Sequence, residues 1–76
     1  MKLIVNATGL AGNAVQVVLD SEDSNELNRG VMLALYRTKG LANVIDPETG
    51  KTATGPVHQI AEKARLGAFL NEFERS

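Results

Sequence analysis

The segment TGPVHQIAEKARLGAFLNEFERS (residues 54–76) decides how the rest of the chain must fold. Thr54 is a good N-cap, Pro56 suits the first helical turn, and Ala, Glu, Lys, Arg and Leu fill the following positions, so the segment predicts a helix of about five turns. At 100° per residue Val57, Ile60, Ala61, Ala64 and Ala68 share one stripe, while Leu66, Phe69, Leu70 and Phe73 lie almost opposite. The apolar direction therefore rotates by about half a circle near Gly67. One surface of a small domain cannot cover both stripes of a straight helix. Either the helix bends or breaks at Gly67 and the chain covers both stripes itself, or a second molecule covers Leu66, Phe69, Leu70 and Phe73.

Upstream, residues 2–7 (KLIVNA) form a short apolar run rich in β-branched side chains, and residues 14–20 (AVQVVLD) alternate with Val15, Val17 and Leu19 on one side. Two strands joined by the loop TGLAGN (residues 8–13) predict a hairpin. Its inward set on the first strand is Leu3 and Val5, or Ile4 alone. The stretch IVNATGLAGNAV (residues 4–15) is similar to the glycine loop of extended short-chain dehydrogenases, which implies a phosphate-binding turn between a strand and a helix. The similarity spans about a dozen residues, Asn6 stands where that loop has glycine, and the chain is a fraction of the length a dinucleotide fold requires. The β-branched residues that follow favour a strand over a helix, so a hairpin turn is the expectation.

Residues 21–28 (SEDSNELN) read as a helix start, with Ser21 or Ser24 as N-cap and carboxylates in the first turn. The acidic spacing does not make a calcium loop, because glycine is missing at the sixth position and Val31 stands where the bidentate acid belongs. Leu27, Val31, Ala34, Leu35 and Thr38 form the inward stripe. Met32, Leu33 and Tyr36 give the other face more apolar area than solvent usually meets. Arg37 and Lys39 suit a helix C-terminus, with Gly40 just beyond it. Residues 41–45 (LANVI) read as a strand, DPETGK (46–51) as a turn with proline at its first central position, and residues 51–54 as a short returning strand.

The fold class is thus α+β: a single small domain of ββαββα order, residues 1–76, with a mostly antiparallel sheet packed on one face by two helices. Gly30 and Gly67 occupy like places in the two helices, which suggests a weak internal repeat in which Met32, Leu33 and Tyr36 correspond to Phe69, Leu70 and Phe73.

Seventy-six residues with 43% apolar content make one marginal core. Without cysteine there is no disulfide and no thiolate chemistry, and the single histidine cannot build a zinc site, so no metal or cofactor is expected. Oligomerisation is the remaining common source of buried area, and a homodimer is expected. A net charge of −1 argues against a general polyanion binder. No apolar run approaches the length of a membrane span, and the absence of a targeting segment makes the cytoplasm the default location.

The chemical inventory is thin. His58 and Glu62 sit one helical turn apart and form the only pair suited to acid–base work, yet no nucleophile accompanies them. The expected role is therefore non-catalytic: a protein-interaction or regulatory module, with Leu66, Phe69, Leu70 and Phe73, joined by Met32 and Tyr36, as partner or dimer interface. Small accessory and inhibitor proteins of phages and mobile elements share this size and composition, an analogy that names no target. The alternative is a weak nucleic-acid binder acting through Arg29, Arg37 and Lys39.

Overall fold

The computed structural model describes residues 1–74 and has the predicted α+β architecture. Its elements are β1 (Lys2–Gly9), β2 (Ala14–Asp20), α1 (Ser24–Ala34), β3 (Thr38–Ile45), β4 (Thr52–Pro56), α2 (Val57–Arg65) and a single turn, α3 (Asn71–Glu74). Every strand pairing is antiparallel, and the order across the sheet is β2-β1-β3-β4. The first strand of the chain is therefore central, while β2 and β4 are the edges. Because β2 and β3 both run antiparallel to β1, α1 is the crossover that carries the chain over it.

The open question of the hairpin register resolves through Leu3 opposite Leu19 and Val5 opposite Val17. Leu3, Val5, Ala42 and Val44 are buried on one face of the sheet, under the helices. Leu27, Val31 and Leu35 close on them from α1, and Ile60 and Ala64 from α2. Contacts place α1 over β1 and β2, and α2 over β3 and β4. Gly30 makes the close approach of α1 possible, since a Cβ there would stand 2.9 Å from Leu19 Cδ2.

The chain does break at Gly67. Its φ of +75° closes α2 in a Schellman motif: the Gly67 N–H donates to the Ala64 carbonyl (3.0 Å) and the Ala68 N–H to that of Lys63 (2.9 Å). The predicted five-turn helix is thus α2, a left-handed turn and α3, and residues 75–76 of that prediction lie outside the described residues. After the turn the chain delivers Phe69, Leu70 and Phe73 to the core, with the two rings edge to face at a centroid distance of 5.5 Å. Phe69, 1% exposed, borders a small crevice of about 50 Å³ with Ala53, Gly55 and Ile60. Phe69 therefore packs on the β4 side of the sheet, with Phe73 against it.

Three boundaries differ from the sequence reading. Asp23, rather than Ser21 or Ser24, caps α1, its Oδ1 accepting from the Asn25 N–H (2.8 Å). The helix ends at Ala34, and Thr38 and Lys39 belong to β3, because Arg37 takes a left-handed φ of 61° and reverses the chain well before Gly40. Thr54 is not an N-cap but pairs with Asn43 in β4, which runs on to Pro56; α2 starts at Val57 without a side-chain cap. The proposed repeat does not persist in three dimensions, since Gly30 lies inside a helix and Gly67 ends one.

Three substitutions test this account by urea denaturation. Phe69→Ala should cost about 3–5 kcal/mol and leave so small a domain largely unfolded, whereas Leu66→Ala should change stability by less than about 0.5 kcal/mol. Gly67→Ala should cost about 1–2 kcal/mol through the left-handed backbone alone.

Candidate functional site

The six residues expected to form one contact face do not share a surface. Phe69, Leu70 and Phe73 are core, and Met32 is half-buried against it. The physical reason is the turn at Gly67, which redirects the second stripe inward and leaves Leu66 outside, 65% exposed. Leu66 and Tyr36 also belong to different elements, Leu66 capping α2 and Tyr36 following α1. Gly67, next to Leu66, borders a groove of about 420 Å³ with Asn25 and Arg29 of the first half of α1, whereas Tyr36 follows its last turn.

What the structure gathers is the end of the molecule where α1 leaves for β3. Leu35 anchors this connection in the core, while Leu33 (61% exposed) and Tyr36 (74%) point into solvent. The backbone around them is held by short-range bonds. The Tyr36 N–H donates to the Leu33 carbonyl (3.1 Å), and the Thr38 hydroxyl donates to the Leu35 carbonyl (2.6 Å). The Leu10 N–H donates to the Arg37 carbonyl (3.2 Å), which ties the β1–β2 loop to the same turn and brings the exposed Leu10 beside it. That loop is a hairpin turn: the Gly9 N–H reaches the Asn13 carbonyl, and no helix follows, so the dehydrogenase-like loop is absent here.

Leu10, Leu33 and Tyr36 are three of the six large apolar side chains that the described residues expose. The charged residue of the α1–β3 connection is Arg37, and Lys39 follows in the first residues of β3; both are exposed cations. Arg37 is the only non-glycine residue with positive φ among those described, a conformation that costs roughly 1–2 kcal/mol and is kept where surrounding structure enforces it. Of the nucleic-acid alternative, Arg37 lies in this turn and Lys39 just after it, while Arg29 lies two turns earlier on α1 and borders the groove with Asn25. In the same groove Asn28, 4% exposed, donates through Nδ2 to the Ser24 carbonyl (3.0 Å), and its Oδ1 has no partner among the described residues.

The helix-free face of the sheet carries two cross-strand rows. Val18, Ile4, Ile45 and Thr52 form one; Gln16, Asn6, Asn43 and Thr54 form the other. In the polar row the Gln16 amide donates to Asn6 Oδ1 (2.9 Å) and the Thr54 hydroxyl to Asn43 Oδ1 (3.1 Å). These side chains partly satisfy one another within the chain.

His58 and Glu62 do not act as a pair. Glu62 instead accepts two hydrogen bonds from the Arg65 guanidinium, which holds its carboxyl below the usual carboxylate value and raises Arg65 above its own. A carboxylate so held is a poor base for an imidazole on the previous turn. Among the described residues no three acidic or histidine side chains converge on a metal position. Among the described residues no helix is long and apolar enough to cross a membrane.

Comparison with protein-family models, curated proteins and solved structures finds no match for this chain.

Replacing Arg37 separates backbone strain from side-chain function. Arg37→Gly should raise stability by up to about 1 kcal/mol, read as a higher urea midpoint, because glycine adopts the left-handed turn without penalty. A lowered midpoint would mean that the arginine side chain makes stabilising contacts that outweigh the strain.

Proposed function

We propose that this protein is a non-catalytic interaction module that binds another protein through the end of the molecule formed by Leu10, Leu33, Tyr36 and Arg37. The observation that carries the reading is the solvent exposure of Leu33 and Tyr36 on a turn fixed by the Leu35 anchor and by the Leu10 to Arg37 bond. Tyrosine and arginine are the residue types that most often dominate binding energy, and rigid presentation lowers the entropy lost on docking. The complementary partner surface is an apolar pocket for Tyr36 and Leu33 rimmed by carboxylates, since the turn contributes Arg37 and the start of β3 contributes Lys39. This revises the expected contact surface, which moves from the C-terminal helix to the end of α1.

Affinity capture from the producing cells, using the native chain and the Leu33→Ser/Tyr36→Ser variant, tests the assignment. The variant should keep the native circular dichroism and retain at least tenfold less of the captured partner, as expected when an anchor contributing 2 kcal/mol or more is removed. Equal capture by both proteins removes this surface from consideration. Fluorescence anisotropy with single-stranded oligonucleotides at low salt examines the alternative reading. Binding that falls steeply with salt and is lost on replacing Arg29, Arg37 and Lys39 by alanine would favour nucleic acid instead.

A further inference from the structure

The two edges of the sheet are not equally guarded. Edge β4 has five residues and ends in Gly55 and Pro56, features that blunt an edge against further pairing. Edge β2 has seven residues, AVQVVLD, with no proline or glycine and a single charge at its last position. Its helix-face side chains Val15, Val17 and Leu19 are apolar and only half-buried, and on the open face Val18 stands 57% exposed between Gln16 and Asp20. In a chain this small, such an edge is a template for another strand.

The ladder with β1 shows which backbone groups β2 still offers. The Gly9 N–H donates to the Asn13 carbonyl at one end, and the Ser21 N–H to the Met1 carbonyl at the other, so the odd-numbered residues between them bond inward to β1. Ala14, Gln16, Val18 and Asp20 accordingly turn their N–H and carbonyl groups outward. An occupant must supply the same alternating pattern, and β2 of a second copy supplies it.

From this we infer that the protein forms a two-fold dimer in which two β2 strands pair antiparallel, joining two four-stranded sheets into one. Antiparallel partners point to the same side of a sheet, and an isologous pair shares one axis, so that axis must pass through a residue of β2. With the axis at Val17 all seven residues overlap. Gln16 then exchanges hydrogen bonds with Val18 of the second copy, and Ala14 with Asp20. Val17 meets its own symmetry mate in the closer, non-hydrogen-bonded position, and Val15 meets Leu19. The half-exposed helix-face row becomes buried, and no like charges stand opposite one another. This inference is independent of the partner-binding end, which lies on the α1–β3 connection and leaves the β2 backbone free.

Light scattering on the native chain should give twice the 8.1 kDa of one chain. Gln16→Pro removes one outward N–H and leaves the inward ladder intact, so it should give a monomer with native circular dichroism. Because the chain has no cysteine, single cysteines report the register directly. Val17→Cys should form a disulfide-linked dimer under mild oxidation, since a non-hydrogen-bonded cross-strand pair brings its Cα atoms to about 4.5 Å, within the span a disulfide bridges. Val15→Cys, facing leucine, should link at least tenfold more slowly. A native monomer at millimolar concentration overturns the inference, as does a Gln16→Pro variant that remains a dimer. Should Gln16→Pro fail to fold, the cysteine pair decides, and linkage of Val15→Cys at the rate of Val17→Cys overturns the seam and its register.

Discussion

The left-handed turn at Gly67 is the constraint on which the rest of this core depends. Two hydrogen bonds close α2 there, and the reversal is what allows Phe69, Leu70 and Phe73 to fold back into the core. Helix α2 alone contributes two buried side chains, Ile60 and Ala64. Phe69 completes the cover that α2 begins, bordering Ala53 and Gly55 of β4 beside Ile60. Fixing one residue at positive φ thus recruits both phenylalanines into the core.

The two helices use glycine in opposite ways. Gly30 allows α1 to descend onto Leu19 without interruption, so that this helix continues straight to Ala34. Gly67 stops α2 and sends the chain elsewhere. Leu33 therefore stays on a continuous helix with its side chain in solvent, and Tyr36 is exposed in the turn that follows. The burial of one apolar cluster and the exposure of the other follow from this difference.

Much of the architecture was legible in residue order. The alternation in residues 14–20, the turn at Asp46 and Pro47 and the ββαββα order follow from period and turn chemistry, and the half-circle rotation of the apolar direction marked Gly67 as a break or a bend. The choice between core and interface for Phe69 was not legible, because it depends on whether distant strands leave room beside α2. The end of α1 is not legible because arginine carries no local signal for a left-handed turn, and the bond from the Leu10 N–H to the Arg37 carbonyl forms only once β1 and β3 pair. Thr54 satisfied the local rule for a cap, yet cross-strand pairing with Asn43 claimed it. The excess apolar area at Leu33 and Tyr36 was visible from the helical wheel. That β2 is an edge was not, since strand order is a long-range property.

The turn between β3 and β4 sits at the far end of β3 from Tyr36 and Arg37. Asp46 closes it, exchanging backbone bonds with Lys51 and Gly50 while its carboxylate accepts the Glu48 N–H (3.0 Å). Pro47, Glu48 and Thr49 stand exposed on this scaffold, and their side chains lie away from both the α1–β3 connection and the β2 edge. The protein therefore has a natural handle: a dye or tether attached at Glu48 leaves each of its two distinctive surfaces facing outward.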